Sequence, residues 1–137
     1  MSEDLTRYVQ INSAEMAQIE TVAASHDDPP VIMLNLNGYT AEADYPNGKS
    51  YVRYMQKLDQ LLTEAGGKVL WRMPMLGMVL GSESIHEAIA IYYPSHSSFL
   101  SMGSLPSSAE NYRLRDLAVT QASIHRCTDF PESWLSP

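Results

Sequence analysis

The side chains best suited to chemistry in this chain are two histidines, His86 and His125. A histidine gains or loses a proton near neutral pH, so either one could act as a general acid or base. Asn35 and Arg72 could hold an enolate or carboxylate oxygen, and Trp71 could stack on an aromatic ring. We therefore expect any catalysis to fall to His125 or His86. Substrate binding is expected at Asn35, Asn37, Trp71, Arg72 and Tyr92.

Each proposed binding residue also has a structural role open to it. Asn35 and Asn37 could simply satisfy the ends of a strand. Arg72 could pair with an acid of a second subunit, and Trp71 could belong to the core of a dimer. Trp71 and Arg72 are adjacent, so they should point to opposite faces of a strand unless a bulge near Pro74 changes the alternation.

Other kinds of site have little support in the sequence. Cys127 and the serines lack a nucleophile-elbow motif, and no glycine-rich phosphate loop is present. The four histidines are scattered, and His26 next to two aspartates is typical of a turn. We expect no cofactor and no metal.

Composition narrows the class of protein further. The 137 residues suit one domain, and 45% hydrophobic with 18% charged residues is ordinary for a globular chain. A net charge of −7 disfavours nucleic acid and anionic membranes as partners. No apolar stretch approaches the roughly 18 residues of a membrane span, and no secretory signal is visible. With Cys127 as the single cysteine, these features indicate a cytoplasmic protein.

The elements that must position these residues are organised around residues 30–39, an apolar run with two asparagines near its end. This pattern predicts a central strand. Side chains alternate along a strand, so we expect one set to face helices: Ile32, Leu34 and Leu36. The other set is expected to line a cavity, because amides inside a sheet need partners: Val31, Met33, Asn35 and Asn37.

Two helices and a second strand are predicted around this strand. Asn12 with Glu15 indicates a helix start, and the helix should end before His26. Residues 50–65 carry a broad apolar stripe and should form a helix that Gly66 ends. Residues 68–81 are interrupted by a proline and a glycine, which predicts an edge strand with a bend or bulge.

The second half of the chain should supply two more strands and a helix in two pieces. Residues 88–93 should form a strand. Either its isoleucines face the helices and His86, Ala88, Ala90 and Tyr92 face the cavity, or the two faces are exchanged. A short helix over 96–102 is followed by one with a capping box, Ser107 and Glu110. That helix should turn four residues inward: Tyr112, Leu114, Leu117 and Ala118. The last strand covers 120–128, with Ser123, His125 and Cys127 on one face.

This order is strand, helix, strand, strand, helix, strand, preceded by one helix. It predicts an α+β, ferredoxin-like βαββαβ fold with a four-stranded antiparallel sheet. The domain division is an N-terminal arm and helix at 1–29, the ferredoxin-like domain at 30–128 and a C-terminal tail at 129–137. With both helices on one face, the bare face should pack against a second copy, giving a homodimer with a pocket between the sheets.

Four segments of the chain resemble proteins that carry the DUF1330 domain, a domain of unknown function. They are VIMLNL at 31–36, YVRYM at 51–55, GGKVLWR at 66–72, and YPS with FLSM within 93–102. The resemblance implies a dimeric α+β barrel. That superfamily includes cofactor-free monooxygenases, lactone isomerases and dehydratases alongside members without known activity. Before the third strand, where the family has a Trp-Asp pair, this chain has Ile85, His86 and Glu87.

Two hypotheses of function follow. One is a small cofactor-independent enzyme that acts on an aromatic or polyketide-like molecule by oxygenation, isomerisation or proton transfer. It predicts an enclosed pocket with a histidine within hydrogen-bond reach of the ligand. The other is a non-catalytic dimer that binds a metabolite or a protein. Fold analogy supplies most of the weight of the first hypothesis.

Overall fold

The computed structural model describes residues 11–128. The predicted arm at 1–10 and the tail at 129–137 lie outside the described residues. In order, the chain forms helix α1 (Ser13–Ala24), strand β1 (Val31–Tyr39), helix α2 (Lys49–Ala65), strands β2 (Lys68–Pro74) and β3 (Glu87–Tyr93), helix α3 (His96–Leu100), a 3-10 turn (Ser101–Ser104), helix α4 (Ser108–Ala118) and strand β4 (Val119–Cys127). None of the helices within 11–128 is long and apolar enough to cross a membrane.

The four strands form one antiparallel sheet in the order β2-β3-β1-β4. The predicted ferredoxin-like α+β fold is confirmed, with α1 as an additional helix before β1. As predicted, β2 is an edge strand with an irregularity. Its position differs from the prediction, because the register shifts between Val69 and Trp71 and not at the proline or the glycine, and the strand ends at Pro74 instead of reaching residue 81. The sheet is open, because the helices pack against only one of its faces.

Local sequence signals fix the ends of two helices. The side chain of Asn12 accepts a hydrogen bond from the backbone N–H of Glu15 at 3.1 Å, which caps α1 as predicted. Gly66 ends α2 with a φ of 81°, in the left-handed region that glycine enters without steric cost. These two signals therefore predicted correctly where an amphipathic pattern begins and ends.

The start of α4 differs from the prediction. Ser107 makes no capping hydrogen bond with its side chain; its Oγ and N–H donate instead to the carboxylate of Glu64 at 2.6 and 2.9 Å. Glu110 binds Arg113 on the same helix. The predicted capping box is therefore wrong, and a tertiary contact to α2 replaces it.

The linker between α1 and β1 is tied to α3 by Asp28. Its carboxylate accepts the N–H of His96 at 2.7 Å and both the N–H and the hydroxyl of Ser97, at 3.1 and 2.6 Å. These hydrogen bonds, led by the hydroxyl of Ser97, lower the pKa of Asp28. His96 itself is buried, with Nδ1 at 3.0 Å from the carbonyl oxygen of Pro29. His96 thus serves to join two segments of the fold.

The faces of β1 are the reverse of the prediction. The core under the helices contains Val31, Met33 and Tyr39 from β1, together with Ile89, Ile91 and Tyr93 from β3. Directly paired residues of neighbouring strands share a face, and Asn35 pairs with Ile89 whereas Leu34 pairs with Ala90. Asn35 and Asn37 therefore lie under the helices. The open face carries Ile32, Leu34 and Leu36.

Of the two face assignments left open for β3, the register agrees with the one that turns its isoleucines toward the helices, except that His86 packs beside Tyr39 and Tyr45 on the covered side. The predicted faces of β4 agree with the register. Ala88, Ala90 and Tyr92 lie on the open face, and in β4 so do Ser123, His125 and Cys127, which pair with Leu36, Leu34 and Ile32. For β1, the prediction of which residues line a cavity on the bare side was wrong. An open face of this composition is apolar in the centre and carries no asparagine.

Candidate functional site

The asparagines of β1 lie in a cavity between the covered face of the sheet and the helices. Its volume is about 270 Å³. Strand β1 supplies two amides to its floor, α2 and β3 supply apolar walls, and the 3-10 turn and α4 close it. The lining residues are Met16, Asn35, Asn37, Tyr54, Leu58, Leu61, Ile89, Ile91, Tyr93, Phe99, Leu100, Met102, Gly103, Ser108, Asn111, Tyr112, Arg115 and Ile124.

Both amides on the floor donate hydrogen bonds through nitrogen. Asn35 Nδ2 donates to the carbonyl oxygen of Met33 at 3.2 Å, and Asn37 Nδ2 donates to the hydroxyl oxygen of Tyr39 at 3.2 Å. Asn37 is 4% exposed, so its carboxamide is buried within the fold. The amide nitrogens of Asn35 and Asn37 are thus held by the protein. A ligand site typically has a few such fixed polar groups in an otherwise apolar wall.

The roof of the cavity has a polar stripe that the sequence analysis missed. Ser108, Asn111 and Arg115 recur along α4 at spacings of three and four, so they lie on one face of the helix. The Oδ1 atom of Asn111 is buried and has no hydrogen-bond partner among the described residues. Tyr112, predicted to point inward, lines the cavity although the residue is 39% exposed; the same prediction for Leu117 was wrong, since it is 38% exposed and does not line the cavity. The helical spacing of polar residues was the signal that could have found this stripe.

A buried carboxylate lies beside the floor of the cavity. Glu87, 2% exposed, starts β3 opposite Asn37. Its carboxylate accepts the hydroxyl of Tyr39 at 2.6 Å and that of Tyr51 at 2.9 Å, and Arg72 Nε lies 3.4 Å away. A carboxylate this deep needs such donors, because burying it unpaired costs several kcal/mol.

Aromatic rings pack around this carboxylate. The rings of Tyr39 and Tyr45 stack at 5.0 Å, and that of Tyr51 meets both edge-on. The guanidinium of Arg72 lies 5.9 Å from the ring centre of Tyr51. Burial, followed by the hydrogen bond to Glu87, raises the pKa of Tyr39; burial and the nearby charge of Glu87 raise the pKa of Tyr51. Both phenols therefore stay protonated at neutral pH, where they act as donors to the carboxylate.

His86 borders this cluster and does not line the cavity. Its Nδ1 accepts the backbone N–H of Tyr39 at 2.9 Å, so the ring proton is on Nε2 in the neutral form. The ring centre lies 5.9 Å from those of Tyr39 and Tyr45. The position of His86 therefore links the segment before β3 to the end of β1.

The remaining predicted residues lie on the open face. Trp71 is 45% exposed, Tyr92 is half-buried, and the exposed His125 has Nε2 at 3.1 Å from the hydroxyl oxygen of Ser123. Trp71 pairs with Ala90 and Arg72 with Ile89, which places these neighbours on opposite faces, as the alternation predicted. The sheet thus separates His125 from the two asparagines.

The seven predicted site residues therefore fall into three groups. Asn35 and Asn37 share the cavity, Arg72 and His86 border the Glu87 cluster, and the open face carries Trp71, Tyr92 and His125. Their predicted catalytic and binding roles stay predictions. Glu87, Tyr39, Tyr51 and Asn111 were not among the predicted site residues. Within 11–128, no cluster of three or more histidine, cysteine, aspartate or glutamate side chains could hold a metal ion.

Comparison with solved structures supports the fold. A protein of unknown function from Rhodopseudomonas palustris has 25% sequence identity and a TM-score of 0.72, covering 90% of this chain and 98% of its own. A structure of that protein in methylated form gives 25% identity and a TM-score of 0.71, with coverages of 91% and 96%. A dabb-family protein with a ferredoxin-like fold from Mesorhizobium loti is 8% identical, with a TM-score of 0.55 over 74% of this chain and 98% of its own. No protein-family model and no curated protein matches the chain.

Proposed function

We propose that this protein binds a small aromatic or polyketide-like molecule in the cavity between its sheet and its helices. The cavity of about 270 Å³ with amides in an apolar wall is the observation that carries this proposal. An apolar cavity of roughly 150 Å³ accommodates benzene, so this one has room for two fused rings. The amides of Asn35, Asn37 and Asn111 supply the few polar points that orient such a ligand.

A pair of tryptophan variants tests this location. Leu61 lines the cavity and is 2% exposed, whereas Val52 lies on the same helix and is 37% exposed. Isothermal titration with 2-naphthol should give one site per chain in the wild type and in Val52→Trp. Leu61→Trp should bind at least about 10-fold more weakly, because the larger side chain fills the cavity. Circular dichroism checks that both variants fold.

Two results would contradict the proposed location. Wild-type affinity in Leu61→Trp would place the probe elsewhere, the open face being the other apolar surface. Absence of binding to the wild-type protein would remove the aromatic ligand from the proposal altogether.

We also propose that the open face joins two copies of the chain into a homodimer. Its centre is aliphatic, and Trp71 and Met73 beside it are 45% and 55% exposed. Past β2, Leu76, Val79 and Leu80 are also almost fully exposed. Exposed apolar side chains in this number support an association site.

Substitution at the centre of the open face tests the dimer. Leu34 lies between Ala90 and His125 in the register, so Leu34→Glu places a charge in the middle of the proposed interface. In sedimentation, the wild type should run as a species of twice the 15.3 kDa chain mass and the variant as the single chain. The dissociation constant of the dimer should rise at least about 100-fold. Gln56→Glu, the same change in charge on the exposed side of α2, should stay dimeric. A monomeric wild type would contradict the dimer.

The family assignment is part of the proposal. The four DUF1330-like segments lie on β1, on α2, across β2 and from the end of β3 into α3. They are therefore spread along successive elements of one fold. The neighbours of unknown function support no narrower activity. We propose that the domain of 30–128 is a DUF1330-type member of the dimeric α+β barrel superfamily, acting in the cytoplasm without a cofactor.

A cofactor-independent enzyme is the second candidate, and one observation favours it. A hydrogen-bonded chain leads from Asn37 at the cavity floor through Tyr39 to the carboxylate of Glu87, a buried base beside the cavity. Proton transfer should then show as faster deuterium exchange at the acidic C–H of 2-tetralone in D₂O. Glu87→Gln should lose the acceleration. Exchange at the buffer rate with the wild type would eliminate this candidate and leave the non-catalytic binder.

A further inference from the structure

The hydrogen bonds around Asn37 determine which end of its amide is left for a ligand. The phenol of Tyr39 has one proton, which it donates to Glu87 Oε1 at 2.6 Å. Its oxygen can therefore only accept from Asn37, so the amide nitrogen of Asn37 must face Tyr39, at 3.2 Å. Glu87 stays the acceptor in this arrangement, because Tyr51 and Arg72 also direct donors to it. Asn37 thus keeps its carbonyl oxygen for the cavity.

Asn35 is oriented in the same way. Its Nδ2 donates to the backbone carbonyl oxygen of Met33 at 3.2 Å, and a carbonyl oxygen can only accept. The nitrogen end of the amide is thereby assigned by its partner. Asn35 and Asn37 both line the cavity, and the hydrogen bond of each goes out from the nitrogen end of its amide. The floor of the cavity therefore presents two acceptors.

The roof presents a third acceptor. Asn111 Oδ1, on α4, is buried without a hydrogen-bond partner among residues 11–128, although Asn111 lines the cavity. A buried acceptor without a hydrogen bond is unfavourable, and a ligand that donates a hydrogen bond to it would remove that cost. The floor and the roof of the cavity therefore both favour a ligand group that donates a hydrogen bond.

We propose that the cavity selects molecules that donate hydrogen bonds, in particular hydroxylated aromatic compounds, over molecules of the same size that can only accept them. This inference rests on the proposed function, since it names the class of ligand for that cavity. A phenolic hydroxyl placed against Asn35, Asn37 or Asn111 meets an oxygen acceptor at each. A fluorine or a carboxylate at the same place meets an oxygen without a proton between them, which is repulsive.

Arg115 favours a different class of ligand, one with a negative charge. It also lines the cavity, and a guanidinium favours carboxylates. Arg115 has an interaction partner of its own, so its charge is not free for a ligand. An acidic ligand is therefore the alternative that the experiment must be able to detect.

Three two-ring probes separate these possibilities: 2-naphthol, 2-fluoronaphthalene and 2-naphthoate. Isothermal titration should show 2-naphthol binding at least about 10-fold more tightly than each of the others, the equivalent of one good hydrogen bond. Equal affinities, or tighter binding of 2-naphthoate, would overturn the selection for donors while leaving the cavity as the binding site. If none of the three binds, the proposed function fails, and the selectivity fails with it.

Tyr39→Phe tests the origin of the selectivity. It removes the acceptor that holds the nitrogen of Asn37, so the amide can turn either end to the ligand. The preference for 2-naphthol over 2-fluoronaphthalene should fall to about threefold or less. Tyr45→Phe is the matched control, because Tyr45 stacks on Tyr39 in the same cluster, and it should keep the preference. An unchanged preference in Tyr39→Phe would contradict the orienting role of Tyr39.

Asn111→Leu supplies a test that does not disturb the Glu87 cluster. The variant exchanges the unpaired acceptor for an apolar side chain, so the fold should tolerate it. Affinity for 2-naphthol should drop about 10-fold while affinity for 2-fluoronaphthalene stays within about twofold. A parallel loss for both probes would indicate a change in shape and contradict the hydrogen bond to Asn111.

Discussion

The polar side chains on the two faces of the sheet differ in how they are hydrogen-bonded. Under the helices, Asn37, Tyr39 and Glu87 form one connected network, in which the amide of Asn37 donates to the hydroxyl of Tyr39 and that hydroxyl donates to the carboxylate of Glu87. On the open face, His125 and Ser123 share one contact at 3.1 Å and are otherwise in reach of water. Polar groups are costly where water is excluded, so those on the covered face are organised and those on the open face need not be.

This difference suits the covered face to ligand binding and the open face to association with a second chain. The covered face combines oriented amides with a partly enclosed volume, which suits a small molecule. The open face offers an aliphatic centre with an exposed tryptophan, which suits a second protein surface. One strand serves both, because alternate residues of β1 belong to different faces. Substitutions at neighbouring positions should therefore have unlike effects.

The largest expected effect follows from removing the acceptor at the centre of the covered network. Glu87→Leu leaves the hydroxyls of Tyr39 and Tyr51 and the guanidinium of Arg72 without their carboxylate. We expect the free energy of unfolding, measured by urea denaturation at pH 7, to fall by roughly 3–5 kcal/mol. Glu87→Gln keeps the shape and should lose less. A loss below about 1 kcal/mol in Glu87→Leu would mean that the network contributes little to stability.

The open face supplies the comparison for that experiment. Ser123→Ala removes the partner of His125, and in the monomeric Leu34→Glu background water can replace the lost contact. The free energy of unfolding should then change by no more than about 0.5 kcal/mol. A similar cost at both positions would break the distinction between the two faces.

Neighbouring tyrosines of β3 allow a sharper comparison through pH. Burial raises the pKa of Tyr93 under the helices, so the folded chain holds this proton to higher pH than the unfolded chain, in which tyrosine titrates near 10. The resulting stability is fully present below about pH 10 and is lost as pH rises above it. The slope is at most about 1.4 kcal/mol per pH unit for one group.

Urea denaturation between pH 8 and 11 measures that slope. Tyr93→Phe should reduce the alkaline loss of stability, since it removes one proton that unfolding releases. Tyr92→Phe, one residue away on the open face, is the matched control and should keep the wild-type slope. Equal slopes in the two variants would contradict the role of burial at Tyr93.

The sequence predicted the elements well because their signals are local. The cap at Asn12 and the glycine that ends α2 each depend on a few adjacent residues. The faces of β1 were assigned wrongly for a physical reason: both sets of alternating residues contain apolar side chains. The register between Asn35 and Ile89 decides the question, and register is a contact between distant parts of the chain.

The site was predictable only where its residues share an element. Asn35 and Asn37 stand two apart on one strand, and the structure keeps them together. The Glu87 cluster joins residues 36 and 48 positions apart, and a single sequence has no pattern that links them. Asn111 was missed for another reason, because a polar residue on a helix usually faces solvent. Its spacing from Ser108 and Arg115 was the available signal.

The smallest expected effect is the most direct test of the separation between the faces. His125 was predicted to be catalytic, yet it lies across the sheet from the cavity and pairs with Leu34 on the open face. If ligands bind in the cavity, His125→Ala should leave the affinity for 2-naphthol within about twofold of wild type. Asn37→Leu, on the other face of the neighbouring strand, should weaken it about 10-fold through the lost acceptor. A larger effect of His125→Ala than of Asn37→Leu would move the binding site to the open face, where His125, Trp71 and Tyr92 lie together on one surface.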